Sequence, residues 1–154
     1  MSYTSTARVR TEAGFDGNPN VSDDMIDAYL VQSHGIVQSY VAAVYVLGNF
    51  SDSNPNFVGS QAEGVLKRAE ELIAAGYVLL KEYGSEGLNT DKDGQKKIAE
   101  GEKLLQRLAQ KDNPLRLVDS LGNEFSRVPK AVAGKIVAKG AEAGENTFSV
   151  KMKF

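Results

Sequence analysis

Residues 59–83 read GSQAEGVLKRAEELIAAGYVLLKEY, and the apolar residues of this stretch recur at helical spacing. One side of such a helix would carry Val65, Ala69, Leu72, Ile73, Gly76, Leu80 and Tyr83. The charged residues fall largely on the other side: Glu63, Lys67, Arg68, Glu70 and Glu71. Apolar residues three and four positions apart mark a helix that buries one face. The stretch therefore predicts a long amphipathic helix.

A second helix is predicted before it, beginning at Ser22 and ending near Gly48. Ser22 is a suitable N-cap, and the two aspartates that follow it complement the positive helix N-terminus. The expected core face consists of Ile26, Leu30, Val37, Val41 and Val44. An adjacent apolar stripe consists of Met25, Tyr29, Ile36, Tyr40, Ala43 and Leu47. We expect so wide an apolar surface to be buried on more than one side, in part against another subunit.

A third helix is predicted from a cap at residues 89–91 to about Gln110, where Asn113-Pro114 closes it. Its inward-facing residues would be Ile98, Gly101, Leu104, Leu105 and Leu108. Residues 22–112 thus make up a predicted helical core.

The rest of the chain is predicted to be non-helical. Turn-forming residues between Gly14 and Asn20 indicate an extended N-terminal arm over residues 1–21. Residues 113–128 contain two short strand-like runs around a turn and predict a β-hairpin. Residues 129–154 form a predicted extended C-terminal arm, because they are rich in Ala, Gly and Lys until an alternating strand-like end. That end could pair with the hairpin of its own chain or with a neighbouring subunit. The predicted fold class is mainly α: a small bundle of about three to four helices with a β-hairpin and extended N- and C-terminal arms.

Composition fits one folded domain. The chain has 154 residues, of which 42% are hydrophobic and 25% charged, and it contains no cysteine. Disulfides, thiolate zinc sites and cysteine nucleophiles are therefore excluded, and a reducing compartment is expected. The first ten residues lack the apolar run of a signal peptide, and the longest strongly apolar stretch, residues 41–47, is too short to span a membrane. We expect a soluble protein without membrane contact.

Charge is unevenly distributed along the chain. Residues 1–91 contain 5 basic and 12 acidic side chains, whereas residues 92–154 contain 13 basic and 8 acidic ones. The asymmetry has three possible meanings: a basic face for nucleic acid, two complementary surfaces that meet when copies associate, or an ordinary solvated surface. Candidate DNA-facing residues are Lys92, Lys96, Lys97 and Lys103. Acidic neighbours dilute this surface, and the third helix has no aromatic residue for base stacking.

Signals for catalysis are weak throughout. His34 is the only histidine, so a packed or surface role is favoured over metal binding or a catalytic triad. Gly134-Lys135 lacks the surrounding residues of a phosphate-binding loop, and the segment beginning at Asp91 lacks the glycine of a calcium loop. We predict that the protein is not an enzyme and has no cofactor, catalytic residue or metal site.

Five features recur in a characteristic order along residues 22–118. They are the capped opening at residues 21–30, YVAAVYVL at residues 40–47, a proline-containing loop, GYVLLKEY at residues 76–83, and GEKLLQRL at residues 101–108 leading to LRLV at 115–118. This order of parts resembles the head-tail connector proteins of tailed bacteriophages, also called adaptor or head completion proteins. The Ala/Gly/Lys segment after Val128 departs from the pattern of many compact members.

The resemblance implies a structural virion protein, assembled in the host cytoplasm and located in the neck. Members form a homo-oligomeric ring, commonly of twelve subunits, which docks beneath the portal protein and receives the tail or neck proteins. They are not enzymes, and DNA passes through them. The expected partner-binding residues are Leu115, Leu117, Phe125, Phe148, Val150, Met152 and Phe154. Two alternatives remain: a DNA-binding or packaging accessory protein that uses the basic C-terminal half, and another tail or capsid completion protein.

Overall fold

The computed structural model describes residues 2–83 and 90–129, and this part of the chain is mainly helical. Its α-helices are α1 (Thr6–Ala13), α2 (Asp23–Ala42), α3 (Gln61–Tyr83) and α4 (Thr90–Gln106). Short 3₁₀ turns follow at Leu47–Asn49 and Arg107–Ala109. The prediction of a mainly α fold with about four helices is confirmed, and the three predicted helices appear as α2, α3 and α4.

The longest helix, α3, lies at the centre of the fold and contacts the other three helices. The apolar residues around it form two clusters. The first cluster contains residues from Tyr3, α2, α4, the 50–57 loop and the chain near residues 117–125. The second contains residues from α1, the N-terminal half of α2 and the later turns of α3. The predicted inward residues of α4 agree with this, since Gly101, Leu105 and Leu108 are buried.

The expected solvent exposure of Glu70 and Glu71 was wrong, because both side chains are buried. Their carboxylates are buried with partners rather than alone: Glu71 pairs with Arg8 at 3.2 Å and with Arg68 at 3.1 Å. Glu70 contacts His34 and the N-terminal backbone. Burial of a carboxylate is tolerated when such partners replace the water that it loses.

The N-terminal region differs from the extended arm predicted over residues 1–21. Residues 6–13 form α1, and Val9 is fully buried against the second cluster. Gly14 ends the helix in the left-handed conformation, at φ 77°, and the backbone N–H groups of Gly14 and Phe15 donate to the carbonyls of Thr11 and Arg10. The glycine and the turn-forming residues after it therefore end a helix, and their presence is no evidence against a helix before them.

α2 ends at Ala42, earlier than predicted. The next residues turn and become extended, so that Tyr45 forms an antiparallel bridge with Arg127. Val46 donates its N–H to Ser126, and Val128 donates its N–H to Val44. The β-branched residues at 44 and 46 suit this extended conformation better than another helical turn.

The predicted hairpin of residues 113–128 is present only as a chain reversal. An isolated bridge joins Val118 and Glu124 across a turn at Gly122, and no regular strand occurs within residues 2–83 and 90–129. The segment also bonds to other parts of the chain, since Val118 accepts from the N–H of Ala62. The predicted C-terminal arm lies, from residue 130 onward, outside the described residues.

Three glycines allow α3 and α4 to approach closely. A Cβ atom placed on Gly76 would lie 2.7 Å from the carbonyl oxygen of Gly94, and one placed on Gly94 would lie 2.9 Å from that of Gly76. A Cβ atom on Gly101 would meet the carbonyl of Ala69 at 2.9 Å. The backbones of the two helices are therefore in contact where these glycines face each other.

We predict that Gly76→Ala lowers the free energy of unfolding by about 1–3 kcal/mol, because the new methyl group forces the two helices apart. Gly64→Ala is the control: Gly64 lies in α3 with open space around it, so alanine should stabilise the protein by about 0.5–1 kcal/mol. Urea denaturation followed by circular dichroism measures both. Equal stability of the two variants would show that the α3–α4 contact is looser than described.

Candidate assembly surface

The exposed side of α2 is the most unusual surface of the described chain. No Asp, Glu, Lys or Arg occurs between Asp27 and Asp52, yet six residues of this part of α2 are exposed: Ala28, Val31, Gln32, Gly35, Ser39 and Ala42. Their spacing of three and four residues places them on one stripe of the helix, which we call the α2 face. Val31, near its N-terminal end, is 72% exposed.

The opposite side of α2 packs within the chain. The predicted core residues Ile26, Leu30, Val37 and Val41 are buried, and Met25, Tyr29, Ile36 and Tyr40 of the adjacent stripe pack partly buried against the two clusters. The ring of Tyr29, for example, stacks on Tyr77 with centroids 5.9 Å apart. The wide apolar surface noted in the sequence is thus largely covered by this chain itself. What α2 leaves exposed is the smaller, uncharged α2 face.

A second apolar surface lies where residues 44–46 pair with residues 126–128. Side chains alternate between the two sides of extended backbone, so Val46 and Val128 lie on the side opposite Tyr45 and Arg127. Val46 is 44% exposed and Val128 is 42% exposed. We call these two residues the valine patch. It adjoins the point where the described chain ends.

Tyr45 fixes the geometry of the valine patch from the buried side. Its hydroxyl accepts the N–H of Leu117 at 3.1 Å and donates to a carboxylate oxygen of Glu124 at 3.0 Å. The guanidinium of Arg127 lies over the Tyr45 ring, 5.3 Å from its centroid, and also pairs with Glu124 at 2.6 Å. Hydrogen bonds from Arg127 and Tyr45 lower the pKa of Glu124, although its partial burial acts the other way.

The predicted partner-binding residues divide into two groups. Leu117 and Phe125 are buried in the first cluster, where the Phe125 ring lies 4.9 Å from that of Phe50, and Leu115 packs against the same cluster. Leu117 and Phe125 are therefore core residues of this chain, whereas Leu115 is half-buried. Phe148, Val150, Met152 and Phe154 lie outside the described residues.

The predicted DNA-facing lysines differ in their surroundings. Lys96 and Lys103 are exposed, while Lys97 pairs with Glu12 of α1. The side chain of Lys92 lies outside the described part. Burial acts to raise the pKa of Glu12, but the hydrogen bonds from Arg68 and Lys97 outweigh it and hold that pKa below its usual value. Lys103 borders a shallow groove of about 350 Å³ that also contains Glu100.

A buried polar cluster is the feature that the sequence interpretation missed. His34 Nδ1 lies 2.9 Å from Oε1 of Glu70, and the backbone N–H of Thr4 donates to Oε2 of Glu70 at 2.7 Å. His34, which was expected to be packed or on the surface, is half-buried in this cluster. One signal could have placed Glu70 inside: it lies four residues after Leu66 and three before Ile73, both fully buried, on the same side of α3.

We predict that Tyr45→Phe lowers the free energy of unfolding by about 1–3 kcal/mol, because the buried N–H of Leu117 loses its acceptor. Tyr40→Phe, at a half-buried position of α2, is the control and should change stability by less than about 0.5 kcal/mol. Chemical denaturation of both variants measures the difference. A loss no greater than that of the control would mean that the Tyr45 hydroxyl does not fix this region.

Comparisons with protein-family models, with curated proteins and with solved structures give no match to this chain. Among the described residues no helix is long and apolar enough to cross a membrane, and no group of three or more acidic or histidine side chains is placed to hold a metal ion. The resemblance to phage connectors therefore depends on the residues of this chain alone.

Proposed function

We propose that this chain is a structural, non-enzymatic protein of a tailed-phage virion: a head–tail adaptor that forms a ring beneath the portal and links the head to the tail or neck. The α2 face is the observation that carries the proposal. A helix at the surface of a soluble protein normally has charged residues on its solvent side. The solvent side of α2 is uncharged over about four turns, and Val31 projects from it.

The α2 face suits a contact with a neighbouring subunit. Ala28, Gly35 and Ala42 lie seven residues apart and are small, so another helix can approach α2 at short distance with Val31 as the projecting side chain. Such a contact is head-to-tail when it meets a different surface of the next copy, and head-to-tail contacts close into rings when the rotation permits. The resemblance implies twelve copies.

The C-terminal segment suits contact with the portal, tail or neck proteins. In this proposal residues 130–154 act as an extended arm whose Phe148, Val150, Met152 and Phe154 bind a partner. The arm starts beside the valine patch, because Val128 is paired with Val44. Exposed Lys96 and Lys103 would permit non-specific contact with passing DNA.

The α2 face is tested by Val31→Glu, with Ala99→Glu as the matched control at an exposed position of α4. We predict that Val31→Glu weakens self-association at least about tenfold, since a buried unpaired charge costs 1.4 kcal/mol or more. Ala99→Glu should assemble normally, and both variants should retain the thermal stability of the parent protein. Native mass spectrometry over a range of concentrations measures the oligomers. Equal assembly of both variants would exclude the α2 face as a subunit contact.

The C-terminal arm is tested by a chain that ends at Pro129. We predict that this chain keeps its helical circular dichroism spectrum, because both apolar clusters lie within residues 3–125, but no longer joins a portal ring or neck protein in native mass spectrometry. If the full chain stays monomeric with every such partner and instead binds DNA with a steep salt dependence, the accessory DNA-binding function replaces the adaptor proposal.

A further inference from the structure

The N-terminal segment crosses the fold over a buried carboxylate. Tyr3 packs into the first apolar cluster and Val9 of α1 into the second, and Thr4 between them contacts Glu70 of α3. Glu70 has no exposed side-chain surface, although no arginine or lysine of the described residues forms an ion pair with it. It is held instead by neutral hydrogen-bond donors and a histidine.

The contacts of Glu70 come from two directions. One carboxylate oxygen accepts the Thr4 N–H at 2.7 Å, and the other lies 2.9 Å from Nδ1 of His34, whose side chain is 13% exposed. The Tyr3 ring covers the histidine, with centroids 4.8 Å apart. The residues that seal Glu70 from water on this side therefore belong to the N-terminal segment.

We propose that residues 2–13 form a detachable clasp, which Glu70 holds closed over α2 and α3 while its carboxyl is protonated and releases when that carboxyl ionises. In the closed form, Thr4 and His34 satisfy the hydrogen-bonding groups of the Glu70 carboxyl, and no lysine or arginine is needed. Ionisation inside this closed site places a negative charge where no lysine or arginine of the described residues pairs with it, which is unfavourable in a buried environment. Opening brings water to the carboxylate and removes that cost.

The groups around Glu70 set the direction of the response. They are His34 on α2 and Tyr3 on the clasp, with Asp52 beyond α2 acting on Tyr3; the positive charge of the amino terminus acts on both Glu70 and His34. Burial raises the pKa of Glu70 to about 7, although hydrogen bonds from Thr4 and Tyr3 and the amino terminus act to lower it. Burial, and after it the positive amino terminus, lowers the pKa of His34, which favours the neutral imidazole in the closed form.

The sign of the pH dependence follows from these two shifts. Because the pKa of Glu70 is raised on closure, its contribution to closure is complete below the ordinary carboxyl value of 4.5 and is lost as the pH rises through about 7. His34 acts in the opposite sense: its contribution is present above 6.5 and is lost as the pH falls through its lowered pKa. The clasp should thus be most firmly closed at mildly acidic pH.

The ion pair next to Glu70 is a separate attachment and supplies the control. Glu71 pairs with Arg8 of α1 at 3.2 Å, so Glu71→Gln weakens the hold of α3 on α1 without changing the Glu70 site. Glu70→Gln retains an oxygen for the Thr4 N–H and offers an amide N–H to His34, but it cannot ionise. His34 can still titrate in this variant.

The experiment measures hydrogen exchange of the Thr4 amide by NMR between pH 6 and pH 8, in the full chain and both variants. The measured quantity is the protection factor of Thr4 in Glu70→Gln divided by that in the parent protein. This ratio should rise about tenfold from pH 6 to pH 8. Linkage gives this factor for a carboxyl whose pKa is shifted from 4.5 to about 7. His34 is present in both proteins and acts in the same sense in both, so the ratio reports mainly the loss of the Glu70 carboxyl. Glu71→Gln should lower protection at every pH but keep the pH dependence of the parent.

Two results would overturn the clasp. The first is a Thr4 protection ratio that stays constant from pH 6 to pH 8. The second is a Thr4 amide that exchanges no faster than the amide of Ile73 in the centre of α3, since exchange would then require global unfolding. If Glu70→Gln does not fold, a ¹³C titration of the Glu70 carboxyl in the parent protein decides: ionisation without any change in the Thr4 protection factor also excludes the clasp.

Discussion

Eight consecutive residues of α3, 69–76, are buried, and a helix buried over eight residues has no side left for solvent. This constraint shapes the rest of the described fold. α3 must be covered by α2 on one side, by α4 on another and by α1 together with the N-terminal segment on a third. It also dictates composition, since Ala69, Ala74, Ala75 and Gly76 are small enough to let neighbouring backbones approach. The two glutamates in this stretch must find partners inside the protein.

The coverage of α3 explains why sequence periodicity was sufficient for some elements and failed for others. Period 3.6 located α2, α3 and α4, because each has large apolar residues on a core side. Helical periodicity assumes that a helix has a polar side, but residues 69–76 have none because three other helices surround them. It therefore placed Glu70 and Glu71 on the wrong side. α1 was missed for a different reason: it has only eight residues and its buried members, Val9 and Ala13, are small. Its stability comes from contacts with α3, which no local pattern contains.

The candidate assembly surfaces, like the helices, could be predicted only in part from the sequence. The strand-like residues Leu117 and Phe125 were recognised as apolar but assigned to a partner, and burial in the first cluster accounts for them within the chain. Phe125 contacts the rings of Phe50 and Phe57 there. The absence of charge between Asp27 and Asp52 was visible in the sequence from the start. Its meaning required the structure, since only burial separates the apolar residues that α2 turns inward from the small and polar ones that it leaves in solvent.

The charge asymmetry of the sequence has two parts once the fold is known. Some of it is neutralised inside the chain, where Glu12 of the acidic half bonds Arg68 and also Lys97 of the basic half. Residues 92–129 carry 8 basic and 6 acidic side chains, whereas residues 130–154 carry 5 basic and only 2 acidic ones. More than half of the positive excess therefore belongs to the same segment as Phe148, Val150, Met152 and Phe154. A partner that binds this segment must offer both an apolar surface and negative charge, which a protein surface provides and a DNA backbone provides only in part.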